Sequence, residues 1–239
     1  MKYPILMYHS IASMPKSTVM RGMHVSPKSF SRQMWMLNVL GFRGVSMKEL
    51  HPYLIGKKKG RVVGITFDDG YRNNLECAAP VLKKYGFSAT CYIVSDKVGK
   101  TNEWDLEQGI PQKALMSEEE VLLWIKEGMD IGCHTRNHVD LSAVNNELAV
   151  YEIKQSKIDL EDRFHIDITD FCYPFGGYNL LSTVELVKEA GFLTATTMKR
   201  GRSSMVSSLL ELPRIPVTHH TLPHLFIMKI LSNYEDRRG

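Results

Sequence analysis

Two carboxylates stand side by side in Thr66-Phe67-Asp68-Asp69-Gly70, directly after the apolar run Val62-Val63-Gly64-Ile65. An acidic pair at the end of a buried strand can hold a cation or exchange a proton with water. Alone, the pattern is equally that of an Asp-Gly turn or a helix cap. A second group, Gly132-Cys133-His134-Thr135-Arg136-Asn137-His138, places two histidines four residues apart. On a helix or in a compact turn that spacing brings both imidazoles to one side, as a divalent metal requires. Either Asp68 or Asp69 can complete a two-histidine, one-carboxylate site with positions left open for water and substrate. The other acid is then free to act as a general base. Non-haem iron oxygenases use the same ligand types, but their usual His-x-Asp/Glu pairing is missing here.

Three more strand ends carry polar groups. Phe171-Cys172-Tyr173-Pro174-Phe175-Gly176 ends in a Pro-Gly turn, which can aim a backbone N–H into a pocket as an oxyanion donor. Met7-Tyr8-His9-Ser10 closes an apolar run on a histidine. In Leu212-Pro213-Arg214-Ile215 a cation sits in an otherwise apolar strand, and a buried arginine calls for a carboxylate partner.

The elements that must carry these groups alternate from end to end. Strand-like runs fall at residues 4–8, 61–67, 88–94, 129–133, 170–173, 193–198 and 211–217, with a weaker one near Val45. Helical patterns lie between them, with Ser26 before Pro27 as a cap, Gly41 as a stop, and capping boxes at Ser117/Glu120 and Ser182/Glu185. A long helix is expected over residues 142–164 with Val144, Leu148 and Tyr151 facing inward. Such alternation predicts parallel strands joined by crossover helices, and seven or eight units in this length suit an α/β barrel better than an open sheet. In a barrel all these strand ends meet at one rim. Residues 99–115 form the one long stretch without periodicity, and Trp104 within it either lines the pocket or pins the loop.

Composition narrows the classes. The chain has 239 residues, 44% hydrophobic and 23% charged, enough apolar content for a packed core and against disorder. A net charge of +4 is too small for a protein that neutralises a phosphate backbone, so nucleic acid is not an expected partner. Cys77, Cys91, Cys133 and Cys172 are scattered and read as buried free thiols of a reducing compartment. Neither a membrane span nor a signal-peptide core is evident, so a cytoplasmic location is expected. Lys57-Lys58-Lys59 and Lys199-Arg200-Gly201-Arg202 read as solvated loops, with an anionic carrier lipid as the alternative.

Taken in order, the motifs resemble those of the polysaccharide deacetylases, the carbohydrate esterase family that shares the nodulation-factor deacetylase domain. Thr66 to Gly70 is similar to the first family motif, His134 to His138 to its His-Ser/Thr-x-x-His motif, and Tyr173-Pro174-Phe175-Gly176 to its third. The resemblance spans most of the chain. It implies a single-domain distorted (β/α)7 barrel over residues 1–239, one divalent metal ion, zinc by default, on Asp69, His134 and His138, and Asp68 as catalytic base. Cys172 stands where many members carry an arginine, and Arg214 resembles the substitute found in the exopolysaccharide deacetylase branch. Leu222-Pro223-His224 has the letters of the usual general-acid motif but reads as a helix start. His9 matches the acid of the exopolysaccharide branch and is the expected one.

The implied reaction is hydrolysis of the acetamide of an N-acetylated amino sugar, in a poly- or oligosaccharide or a glycan precursor. Asp68 would deprotonate water, the N–H of Phe175 would help to hold the oxyanion, His9 would protonate the leaving nitrogen, and Arg214 would keep Asp68 ionised. Two alternatives share the scaffold: hydrolysis of a small amide, ureide or formamide, and an inactive metal-stabilised sugar-binding protein.

Overall fold

The computed structural model describes residues 2–179 and 182–239. Its main sheet has eight parallel strands: β1 (Ile5–Tyr8), β2 (Arg43–Val45), β3 (Val62–Phe67), β4 (Thr90–Ile93), β5 (Asp130–Cys133), β6 (Asp170–Cys172), β7 (Thr194–Arg200) and β8 (Leu212–Pro216). Each lies within one or two residues of its expected run. Seven of them close a barrel in the order β1-β8-β7-β6-β5-β4-β3, because β3 also pairs with β1. The weak strand near Val45 is β2, which pairs with Val62, Val63 and Gly64 of β3 before β4 takes over at Thr66 and Phe67. It supplements the barrel and is not one of its staves.

The helices are α1 (Pro27–Val39), α2 (Met47–Leu54), α3 (Ala79–Lys84), α4 (Glu118–Lys126), α5 (Asn146–Phe164), α6 (Ser182–Glu189) and α7 (Pro223–Leu231). Ser26 caps α1 by accepting the N–H of Ser29, and Ser117 with Glu120 forms a complete capping box on α4. Ser182 lies within the helix and is not a cap before it. Among the described residues no helix is long and apolar enough to cross a membrane.

Alternation along the strands sorts the core into two parts. Leu6, Tyr8, Val63, Ile65 and Phe67 face outward into the large core beneath the helices. Ile5, Val62, Tyr92, Cys172 and Leu212 face inward and form a smaller core with Met47, Leu50 and Leu54 of α2, which plugs the lower end of the barrel. The lower interior is thus largely apolar, with Thr90, Asp170 and Thr194 as buried polar exceptions that bond to one another or to the backbone, and the ionisable groups of the rim lie above it.

Helix α5 departs from expectation. It starts at Asn146, capped by Asn145, and Leu148 and Tyr151 are exposed, while Ala149, Glu152, Ile153, Ser156, Leu160 and Phe164 are buried. The apolar pattern misplaces the face because Glu152 belongs to the inner side. Its carboxylate accepts the backbone N–H groups of Arg136 (2.9 Å) and Asn137 (2.8 Å) and the Asn137 side-chain amide (2.7 Å). Of the cysteines, Cys91, Cys133 and Cys172 are buried, Cys77 is half-buried, and all are free. In the basic run, Lys199 pairs with Glu211, Arg200 with Glu235 and Arg202 with Asp236, so these cations are tied into the fold.

Gly132 faces the barrel interior, where a Cβ would lie 2.7 Å from the Asp170 carbonyl oxygen and 2.7 Å from the Tyr92 ring. Gly132→Ala is expected to destabilise the protein by about 1–3 kcal/mol, the usual cost of overpacking. Urea unfolding checks this, and an unchanged midpoint would show that the strand yields without strain.

Candidate active site

Strand β3 ends at the barrel rim on Asp68 and Asp69, both almost fully buried. Asp69 has φ 75° and Gly70 φ 78°, so the chain turns through the left-handed region as it leaves the strand. This turn separates the two carboxylates. Asp68 points across the barrel to Arg214 of β8, and Asp69 towards the histidines.

The Asp68–Arg214 pair is bidentate, with Nη1 to Oδ1 at 2.7 Å and Nη2 to Oδ2 at 2.8 Å. Arg214 is 1% exposed, and its remaining donors reach the Thr197 carbonyl (2.9 Å), Thr66 Oγ1 (3.1 Å) and Cys172 Sγ (3.2 Å). Burial alone would push the Asp68 carboxyl up, but the charge and hydrogen bonds of Arg214 hold it below the usual carboxylate range. In turn burial disfavours the guanidinium, and Asp68 more than offsets this and keeps it protonated.

His134 follows β5 directly, and the turn after it carries Thr135 at φ 60° and His138 at φ 59°. A left-handed turn, not a helix, thus brings the two rings together. Glu152 holds it through the N–H groups of Arg136 and Asn137, and the Ser95 N–H is donated to the Thr135 carbonyl at 3.2 Å. His134 Nδ1 donates to the Cys172 carbonyl at 2.8 Å, which fixes the ring and aims Nε2 at Asp69. Asp69 Oδ1 lies 3.5 Å from His134 Nε2 and 3.3 Å from His138 Nε2. Burial would raise the Asp69 carboxyl, yet the two imidazoles hold it well below its ordinary range.

These donors suit a divalent ion. Ligand atoms bound at about 2.0–2.1 Å to a tetrahedral zinc stand about 3.3–3.4 Å apart, close to the 3.5 and 3.3 Å from Asp69 to the two imidazoles. A second close grouping, Asp68, His134 and Cys172, suits one less, because Arg214 already engages both oxygens of Asp68. His138 Nδ1 is buried without a hydrogen-bond partner among the described residues. Its ring is fixed by aromatic contacts instead, stacked on Trp104 at 4.3 Å and edge-on to Phe175 at 4.6 Å.

A cavity of about 290 Å³ opens over these groups and is lined by Asp68, Asp69, His134 and His138 together with His9, Trp104 and Phe175. His9, at the end of β1, places Nε2 3.8 Å from Asp68 Oδ2 and remains partly open to solvent. Phe175 has φ 56° in the turn Pro174–Gly176. The rim thus gathers His9, Asp68, Asp69, His134, His138 and Phe175, with Arg214 beneath. His224 is not with them; it is exposed on the first turn of α7 and does not line the cavity. Trp104 lines the pocket, which decides between its two readings.

Several wall residues escaped sequence reasoning. Met7 was available from the alternation that turns Ile5 inward. Met20, Met23 and Asp105 come from segments with no periodicity, and no local signal marks them.

The polysaccharide deacetylase family model matches residues 55–195. YxkH of Bacillus subtilis, which carries the name of that family, is 32% identical over 219 residues, covering 91% of this chain and 72% of its own. The poly-beta-1,6-N-acetyl-D-glucosamine N-deacetylase of Staphylococcus aureus is 27% identical over 208 residues, covering 84% of this chain and 70% of its own. The solved structure of the Streptococcus pyogenes deacetylase PplD in complex with acetate matches with a TM-score of 0.83 at 26% identity, over 96% of this chain and 98% of that one. With one fold shared along nearly the whole chain and the family match spanning β3 to β6, which carry the acidic pair and both histidines, this chain belongs to the polysaccharide deacetylase family and is by class a carbohydrate deacetylase.

Proposed function

We propose that the chain is a metal-dependent de-N-acetylase that hydrolyses the acetamide of an N-acetylated amino sugar, in a poly- or oligosaccharide or a glycan precursor, to acetate and a free amine. The observation that carries this reading is one cavity holding two separate devices. One is a carboxylate locked ionised by a buried guanidinium, and the other a one-carboxylate, two-histidine donor set. The name of the Staphylococcus aureus relative supports an N-acetylglucosamine polymer as the kind of substrate. Residues 1–239 act as one catalytic domain.

Asp69, His134 and His138 would hold one divalent ion, zinc in the first instance, which when bound polarises the acetamide carbonyl and makes water more acidic. Asp68 takes the proton of the attacking water, and Arg214 keeps it oriented and ionised until then. As the carbonyl carbon becomes tetrahedral, the N–H of Phe175 donates to its oxygen. His9 then protonates the nitrogen as the C–N bond breaks, because an amine anion cannot leave at neutral pH. Trp104 and Phe175 hold the His138 ring and keep bulk water from its faces.

The deciding experiment incubates metal-loaded protein with a panel of N-acetylated sugars and oligosaccharides and measures acetate. Release is expected to vanish in His138→Ala together with bound metal, and a variant that kept its metal would show the donor set to be misassigned. Asp68→Asn is expected to retain metal and lose at least about a hundredfold in turnover, because the amide cannot accept a proton. Metal loss in that variant, with retention in Asp69→Asn, would exchange the two roles.

His9→Ala is expected to lower amide turnover by roughly a hundredfold to ten-thousandfold, while hydrolysis of an activated ester, which needs little protonation of its leaving group, falls far less. His224→Ala should leave both unchanged. Equal losses on the two substrates in His9→Ala would reduce His9 to a positioning residue, and a dead His224→Ala would reverse the assignment.

A further inference from the structure

The acidic residues of this chain are unevenly placed. None of the 26 Asp and Glu side chains occurs before Glu49, and none between Glu211 and Glu235. These two acid-free stretches include α1 and α7, which lie side by side, and Arg32 and Met36 of α1 share a small groove with Thr221 and Pro223 at the start of α7.

Each helix turns a stripe outward. On α1, Lys28, Arg32, Trp35 and Val39 follow one another at helical spacing, and all four are exposed, Trp35 at 52% and Val39 at 62%. On α7 the outer stripe is His224, Ile227, Met228 and Leu231, while Phe226 and Ile230 face the core. Leu222, just before α7, is 56% exposed. The result is two outward stripes of large apolar side chains, one with a tryptophan, on neighbouring helices. Lys28 and Arg32 flank them at the barrel rim, and Arg237 and Arg238 are exposed beyond the end of α7. Large exposed apolar patches mark interaction sites, and an apolar stripe with tryptophan and flanking cations is the pattern of a helix lying in a lipid interface.

We propose that the α1/α7 face docks on an anionic lipid surface. The absence of carboxylates leaves nothing on these helices to repel lipid phosphates, and Lys28 and Arg32 can reach headgroups while Trp35 enters the interfacial layer. Thr218 lines the cavity and its N–H is donated to Thr221 Oγ1 at 3.0 Å, so the docking face begins within one turn of chain from the cavity mouth. Resting on the deacetylase reading, the substrate is then a glycan presented at a membrane.

The test is co-sedimentation of the full chain with vesicles of phosphatidylcholine, with and without phosphatidylglycerol. Binding is expected with the anionic vesicles and not with phosphatidylcholine alone, and it should weaken as salt is raised. Lys28→Glu combined with Arg32→Glu should lower the affinity at least about tenfold. Trp35→Ser combined with Ile227→Ser should also weaken binding. Both variants should keep the circular dichroism and the acetate release from soluble sugars of the parent. No binding at low salt, or equal binding by parent and both variants, would overturn the proposal. So would a concentration-dependent dimer that Trp35→Ser abolishes, since a second copy would then cover the face. Vesicle binding without acetate release from any substrate would sink the deacetylase reading and leave the docking face standing.

Discussion

A guanidinium and a carboxylate buried together inside a barrel tolerate no slack, because either one left alone would be an uncompensated charge costing about 3–5 kcal/mol. Asp68 and Arg214 are held on β3 and β8, the two strands that flank β1 in the closed barrel. Thr66 ties the same layer together, since its hydroxyl donates to the Leu6 carbonyl on β1 and accepts from Arg214. The pair can therefore form only when the barrel has closed. It also explains the thiol at Cys172, because the guanidinium arriving from β8 fills the interior there and leaves room for a small side chain. The Cys172 carbonyl, at the same point of β6, orients His134. The Asp68 carboxylate, the Arg214 guanidinium and the His134 imidazole are thus parts of one buried layer.

Much of this was legible in the sequence for a definite physical reason. Strands buried on both faces read as short apolar runs, and those ending in Asp68-Asp69, His134 or His9 announce a rim. An arginine within the strand Leu212-Pro213-Arg214-Ile215 demands an acid, and Asp68 supplies it. The opposite directions of Asp68 and Asp69 were not legible in the residues themselves, where only the family resemblance told the two apart, because they depend on a single left-handed φ at Asp69 that no residue type signals. The face of α5 was misread for a related reason. Glu152 is buried to satisfy the backbone of the histidine turn, and a rule that counts apolar residues assigns a glutamate to solvent.

The wall of the cavity was the least predictable part. Trp104 and the methionines at positions 20 and 23 come from segments whose conformation is set by what they pack against. Their effect on the site is nonetheless chemical. With His138 held between Trp104 and Phe175, a buried imidazole is positioned by ring contacts where a hydrogen-bonded partner would ordinarily do it.

The backbone at the rim has a consequence of a different kind. Asp69, Thr135, His138 and Phe175 all occupy the left-handed region, and for a β-branched residue such as Thr135 this is a costly conformation. A local sequence would not choose these geometries, so the closed barrel imposes them, and a finished scaffold presents the donor atoms already converged. Small domains that fold around their metal lose their structure when it is withdrawn. Here the turns that present Asp69, His134 and His138 are anchored to strand ends of the barrel, so an ion at this site would meet a geometry fixed by the surrounding fold. Since such a mixed oxygen and nitrogen set does not by itself select one transition metal, the occupant would follow the supply of metals in the surroundings, and one chain could work with different ions in different habitats.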